Sequence, residues 1–433
     1  MEIIHGIFSE FEKLKTLNKV NIVSEDKPLV PVDSFKKNVS DETTDKTPVD
    51  IKNTINNKII KDVDPGPVPS GLKVYTKGNP NWINTKTEYG LCLTGGGAEN
   101  DGAMKWMINK SGGGDFVILR LHDVPDELTN RNSLTNYIYK LGGVDSVTTL
   151  IIDSKYKANL PYVEQVLKNA DALWIAGGNQ TTYYKYWKDS QLQKTINYLA
   201  NNKKIPVGGT SAGMQALGSV IYTPEEGYDS VVSGDALNNP YLKPGSDPDG
   251  QTSGINLSQK LFDLPFMKNV ILDTHFSERH RLGRTIVFLA RMLKDGLTTS
   301  QYAKAIGNDE STSVVIDQNA KARVFGEYKS LKPRLYSPKA IVFGEYDLGF
   351  NDFAYFINPR TFPNNCNPDQ KLDWNSPNGS IQVIKIPGTT DGRNAIDLNT
   401  WNTNDGEKID INVFNGVLSD NIETPNKNNP IRK

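Results

Sequence analysis

The sequence predicts an α/β fold: a mostly parallel sheet flanked by helices, with a disordered polar tail before it and a β-rich C-terminal extension after it. Three observations predict this. From about residue 88, short apolar runs alternate with helical spacing. Two of those runs end in glycine turns, Gly95-Gly96-Gly97 and Gly177-Gly178. The flanking segments, 1–70 and 326–433, lack the alternation.

Residues 1–70 are rich in Lys, Asp, Glu, Asn, Thr and Pro and carry no sustained period, apart from a short helix near residues 7–17. Such a segment buries too little apolar surface to offset its ordering entropy. Over 71–325, Tyr89–Thr94, Gly114–Arg120, Val147–Ile152, Ala172–Ala176, Ile205–Val207 and Asn269–Leu272 read as strands. Helical spacing falls at Leu160–Asn169 and Leu192–Asn201 between them. A parallel sheet places ligands at the carboxyl ends of its strands, where these glycine turns lie. Beyond residue 325 turn residues are dense, and strand-like runs such as Ile381–Ile386 replace helical spacing.

Composition excludes several classes. Lys plus Arg is 49 against 50 Asp plus Glu, a net charge of −1 that argues against a dedicated nucleic-acid binder. Two cysteines, Cys92 and Cys366, can neither staple a scaffold nor hold a structural zinc alone. Cys92 reads as a core residue and Cys366 as an exposed loop thiol. No metal-ligand constellation is present, and no cofactor is expected. No apolar run is long enough to span a membrane. The N-terminus lacks a signal peptide's basic and apolar regions. A cytoplasmic location is the expectation for the sequence as it stands, and export if the N-terminus is incomplete.

Gly209-Thr210-Ser211-Ala212-Gly213 fits Gly-x-Ser-x-Gly between a strand and the helical run Met214–Gly218. In that setting the serine sits on a sharp strand–helix turn as an exposed nucleophile, and the Ala212 amide aims at a developing oxyanion. The bland alternative is a glycine-rich turn with an incidental serine; the strand–helix context favours the nucleophile. The base comes from four histidines, His5, His122, His275 and His280. His5 lies in the tail and His280 among arginines. His122 and His275 both follow strands, and His275 is favoured, at the same sheet edge as Ser211. Asn308-Asp309-Glu310 then offers the acidic partner, giving an order that differs from the Ser–acid–His of α/β-hydrolases.

Ala176–Gln180, Gly208–Met214, Asp273–Phe276 with Arg279, Arg281 and Arg284, and Gly307–Glu310 together resemble cyanophycinase and related exopeptidases. That serine peptidase family includes aspartyl dipeptidase, and the resemblance covers about residues 72–330. It implies a fold like class I glutamine amidotransferases. It also implies Ser211 as nucleophile, His275 as base and Glu310 as orienting carboxylate. Gly178 and Ala212 would form the oxyanion hole, and Gln180, Asp273, Arg279, Arg281 and Arg284 the substrate pocket. For the arginines the competing reading is a solvated helix face; the interleaved Phe276 and Leu282 favour a pocket.

The expected activity is hydrolysis of cyanophycin to β-Asp-Arg dipeptides through an acyl-enzyme. The alternatives are an α- or β-aspartyl dipeptidase and a catalytically silent acidic-peptide-binding protein. Expected partners are a peptide or polymer substrate and no nucleic acid, with a homodimer as the assembly to test. Gly95-Gly96-Gly97 also resembles a dinucleotide turn, but Asn100 occupies the last glycine position, so a tight turn is preferred.

Overall fold

The computed structural model describes residues 64–79, 81–131, 133–247, 250–298, 303–327 and 352–420. All belong to one compact unit, Thr54–Lys433. The expected tail, with its short helix, therefore lies outside the described residues up to residue 63.

The chain begins with β1 (Lys73–Gly78), β2 (Gly90–Thr94), α1 (Asp101–Lys110), β3 (Asp115–Arg120), α2 (Leu134–Leu141), β4 (Ser146–Ile151), α3 (Pro161–Asn169) and β5 (Ala172–Ile175). It continues through α4 (Gln180–Trp187), α5 (Gln191–Tyr198), β6 (Pro206–Thr210), α6 (Ala212–Gln215), β7 (Val220–Tyr222), α7 (Ser233–Asn238) and β8 (Leu257–Gln259). Then come β9 (Val270–Thr274), α8 (Leu282–Lys294), β10 (Lys304–Asn308), β11 (Ser313–Asp317) and β12 (Lys321–Phe325). The last strands are β13 (Phe353–Pro359), β14 (Ile381–Pro387), β15 (Ala395–Asp397), β16 (Glu407–Phe414) and β17 (Val417–Asp420).

Local chemistry explains the helix starts. Asn100 caps α1 by accepting from Ala103 N–H, Ser133 caps α2, Asn179 caps α4, and Pro161 opens α3 where its missing N–H costs nothing. After α5 the chain widens into a π turn, Leu199–Lys203, and Lys204 leaves it with φ +60°.

The strands form two mixed sheets rather than one mostly parallel sheet. The first has the order β1-β4-β3-β5-β6-β2-β11-β12-β15, the second β17-β16-β14-β13-β10-β9-β7-β8. In the first, parallel pairing is confined to the block β4-β3-β5-β6-β2. β1 pairs antiparallel at one side, and β11, β12 and β15 continue antiparallel at the other. In the second, only β10-β9-β7 is parallel. The additional antiparallel strands come from hairpins and from the C-terminal region, whose short turn-bounded runs carry no crossover helices.

Period-two alternation puts both faces of the first sheet to use. Leu91, Leu93, Val117 and Leu119 pack into one core with Val163, Val166 and Leu167 of α3. Cys92, Phe116, Ile118 and Trp174 pack into another with Met104 and Met107 of α1. The second sheet alternates likewise. Leu272, Ile306 and Phe356 join the first core, while Ile271, Ala305 and Tyr355 join a third beneath α8. The C-terminal strands continue both sheets: β13 pairs with β10, and β15 with β12. Cys366 is buried at 2% exposure in the third core with Leu372 and Trp374, contrary to the expected exposed thiol, because its loop is held by the paired backbone of Asn365 and Asp373. Cys92 is in the core as expected, and burial pushes its thiol up to about 12.

Candidate active site

β6 is held between β5 and β2 and delivers Ser211 at its carboxyl end. Ser211 has φ +52° and ψ −123°, a conformation that costs a non-glycine residue about 1–3 kcal/mol and persists where the surroundings enforce it. The enforcement is visible. Ser211 N–H donates to the Thr94 carbonyl at 3.1 Å, and its own carbonyl accepts from Gln215 at 3.0 Å. A Cβ on Gly213 would lie 2.1 Å from the Ile175 carbonyl oxygen, so only glycine lets α6 close against β5.

His275, the candidate base, comes from the other sheet. β9 ends at Thr274, and the chain turns at His275, whose φ is +47°. Ser211 Oγ and His275 Nε2 are 2.7 Å apart, and His275 Nδ1 and Glu310 Oε1 are 2.6 Å apart. Ser211 and His275 thus meet across two sheets, not along one edge as expected. The Asp309–Thr312 turn joins β10 of the second sheet to β11 of the first. With Nδ1–H donating to Glu310, Nε2 is free to accept the serine proton. Burial is the main influence on His275 and holds its pKa below the ordinary imidazole value. Glu310 opposes that shift, while Arg279 and Arg281 reinforce it. A neutral imidazole is the form a general base needs.

The glycine turn is part of this arrangement. Gly96 has φ +112°, and a Cβ there would lie 2.3 Å from His275 Cε1. His275 N–H donates to Gly95 O at 2.8 Å, and Ser311 N–H to Gly96 O at 2.8 Å. The turn read from the sequence is therefore the wall behind the imidazole. Its role was hidden because its partner lies far along the chain.

Of the two acidic candidates, Glu310 contacts His275 and Asp309 does not. Asp309 is fully buried and accepts from Ser277 N–H at 2.9 Å and Phe353 N–H at 3.1 Å. Burial and the nearby Glu278 carboxylate push its pKa well up. Glu278, which the sequence did not single out, accepts from Glu310 N–H at 3.1 Å.

The expected substrate pocket divides. Asp273 and Arg284 are 0% and 1% exposed and bonded to each other, with Nε to Oδ2 at 2.8 Å and Nη2 to Oδ1 at 2.5 Å. Gln215 and Thr285 also donate to Asp273, at 3.0 and 2.9 Å. Arg281 is buried too and donates to the Thr274 carbonyl at 2.7 Å. Burial lowers its pKa to about 9, with Arg284 adding to the effect. Burial raises the Asp273 pKa, but the charges of Arg284 and Arg281 outweigh it, leaving the carboxyl below its ordinary value. Asp273, Arg281 and Arg284 thus form an internal charge network beneath His275 instead of facing solvent. Arg284 lies within the buried run Leu282–Ala290 of α8, which explains why it points inward. Only Arg279 of the three arginines is exposed. Gln180 is buried, and its Nε2 donates to the Tyr222 carbonyl at 3.1 Å, tying α4 to β7.

The turn after β5 lies beside Ser211: a Cβ on Gly177 would be 3.6 Å from Ser211 Cβ. Tyr183 fixes it by donating to Ala176 O at 2.7 Å and lies near Gly178, which is exposed. Ala212 opens α6, whose first N–H groups have no intrahelical acceptor. His122 is exposed after β3, and His280 follows His275 on the same turn. Among the described residues, no group of three or more His, Cys, Asp or Glu could hold a metal, and no helix is long and apolar enough to cross a membrane.

Residues 137–238, which include Ser211, match the family described as Peptidase family S51. Cyanophycinase from Synechococcus elongatus is 24% identical over 241 residues, covering 55% of this chain and 66% of that protein. Cyanophycinase from Thermosynechococcus vestitus matches with the same identity and coverage. The chain thus spans about two thirds of the length of these curated relatives. The crystal structure of a peptidase from an acI-B1 Actinobacterium aligns at TM-score 0.40 and 15% identity, over 56% of this chain and 90% of that one. The chain is thus similar to Peptidase family S51 over residues 137–238 and to these cyanophycinases over about half of its length.

Proposed function

We propose that this protein is a serine-type peptidase that hydrolyses cyanophycin, multi-L-arginyl-poly-L-aspartate, to β-Asp-Arg dipeptides. The observation that carries the reading is the unbroken relay from Ser211 Oγ through His275 to Glu310, at 2.7 and 2.6 Å. In the proposed reaction Ser211 Oγ attacks the scissile carbonyl while its proton passes to His275 Nε2. Glu310 stabilises the imidazolium that forms. The oxyanion is held by the Ala212 and Gly178 amides. His275 then protonates the departing amine, and a water deprotonated by the same nitrogen cleaves the acyl-enzyme. The parallel block β4-β3-β5-β6-β2, with Ser211 after β6, supports a class I glutamine amidotransferase-like catalytic domain over residues 71–325. Residues 326–433 are proposed as its extension.

The substrate follows from the names of the relatives and from Arg279, the exposed guanidinium beside the relay, whose fork suits an aspartyl carboxylate. A second reading, an aspartyl dipeptidase, is favoured by the same count: with Arg281, Arg284 and Asp273 occupied internally, fewer groups remain to grip a polymer. Turnover of insoluble cyanophycin beside a panel of α- and β-aspartyl dipeptides separates the two. Release of β-Asp-Arg supports the first reading. Cleavage of dipeptides alone supports the second, and no cleavage with no labelling of Ser211 by a serine-directed phosphonate leaves a silent peptide binder.

A further inference from the structure

Taking the Ser211–His275–Glu310 relay as catalytic, we infer that β13 of the C-terminal region is a positioning element for it, acting through Asp309. Two distant chain segments meet on this one carboxylate. Oδ1 accepts from Ser277 N–H at 2.9 Å, two residues after His275. Oδ2 accepts from Phe353 N–H at 3.1 Å, at the first residue of β13. Asp309 N–H in turn donates to Phe353 O at 3.1 Å. The next residue, Glu310, is the one that holds His275 Nδ1.

Tyr355 adds a second link from the same strand. It is fully buried, its hydroxyl lies 3.5 Å from Asp309 Oδ2, and its ring stacks on Phe276 at 4.8 Å and 30°. Phe276 directly follows His275. One strand therefore reaches the turn bearing the base and the turn bearing the carboxylate. β13 also covers β10 along Ala305–Asn308, so the strand that launches Asp309 and Glu310 is paired on both sides, with β9 and with β13. Without β13, β10 would be a sheet edge and Asp309 Oδ2 would lose its Phe353 and Tyr355 donors. Relay distances this short tolerate little drift, and a displacement of about 1 Å can cost about a hundredfold in rate.

Asp309 and Tyr355 are positioning residues, since neither touches Ser211 or His275 Nε2. The test uses the full-length protein with Asp309→Asn, Tyr355→Phe and Phe353→Pro. The last removes the backbone donor at a strand's first residue, where proline is tolerated, together with the aromatic ring. Two readouts are needed: the rate at which a serine-directed phosphonate labels Ser211, and the downfield proton resonance of the His275–Glu310 hydrogen bond. Expected for folded Asp309→Asn and Tyr355→Phe is labelling slowed at least about tenfold and about threefold respectively. The downfield resonance should be broadened or lost in Asp309→Asn, and KM for cleaved peptides little changed. Tyr355→Phe is the mildest change and keeps the test open should the others fail to fold. Folded variants that label at the wild-type rate and keep the resonance overturn the inference. A wild-type protein that does not label at Ser211 and cleaves no peptide overturns the peptidase reading instead, and the resonance alone then decides whether β13 holds the His275–Glu310 pair.

Discussion

His275 occupies the volume that any side chain at Gly96 would need: a Cβ there would lie 2.3 Å from Cε1 and 2.6 Å from Nε2. The backbone at residue 96 adds a second constraint, since φ +112° is a conformation that L side chains rarely adopt. Gly96→Ala should therefore push the imidazole off Ser211 and lower kcat by at least about a hundredfold. Steady-state kinetics on folded protein checks this, and a loss below threefold would show that the wall can move aside.

The pH dependence follows from the neutral imidazole. In the proposed mechanism His275 must lack its extra proton, so kcat/KM should rise with pH, and burial should set the midpoint below about 6.5. Arg279 contributes to the lowered value through its positive charge. Arg279→Gln should move the midpoint upward, because a proton on His275 then meets less repulsion. A midpoint that stays put or falls would contradict this assignment of the charges.

The arginines should separate by stability. Arg284→Ala leaves the buried Asp273 carboxylate without its main partner, and breaking such a pair costs about 3–5 kcal/mol. Thermal or urea unfolding should show that loss. Arg279→Ala, at an exposed position, should leave the unfolding midpoint near wild type and raise KM for substrates bearing carboxylates. If Arg284→Ala unfolds like wild type but loses substrate affinity, the buried network has been misread and the arginine faces the substrate.

What could be read from the sequence was local. Gly209–Gly213 marks its strand–turn–helix because the motif is contiguous in the chain, and His275 and the Asn308–Glu310 run lie just past apolar strands. The two-sheet arrangement was not legible, since β11 pairs with β2 and β13 with β10 across long separations that carry no local signal. The burial of Arg284 was not legible for a related reason. An arginine among Phe276 and Leu282 has the pattern of a pocket rim, and only the position of Asp273 on β9 reveals that its charge is satisfied within. Gly96 was legible as a turn residue, but not as the neighbour of a histidine from another sheet.

Hydrolysis of cyanophycin and aspartyl dipeptides by Ser211→Ala, measured beside wild type in protein free of contaminating peptidase, tests the central claim most directly. The Oγ that sits 2.7 Å from His275 Nε2 is the only atom removed. The account predicts a fall in kcat of about a thousandfold or more, with His275→Ala similar and the double variant scarcely worse, because members of such a relay act as a unit. A Ser211→Ala protein that retains turnover within tenfold of wild type would contradict it.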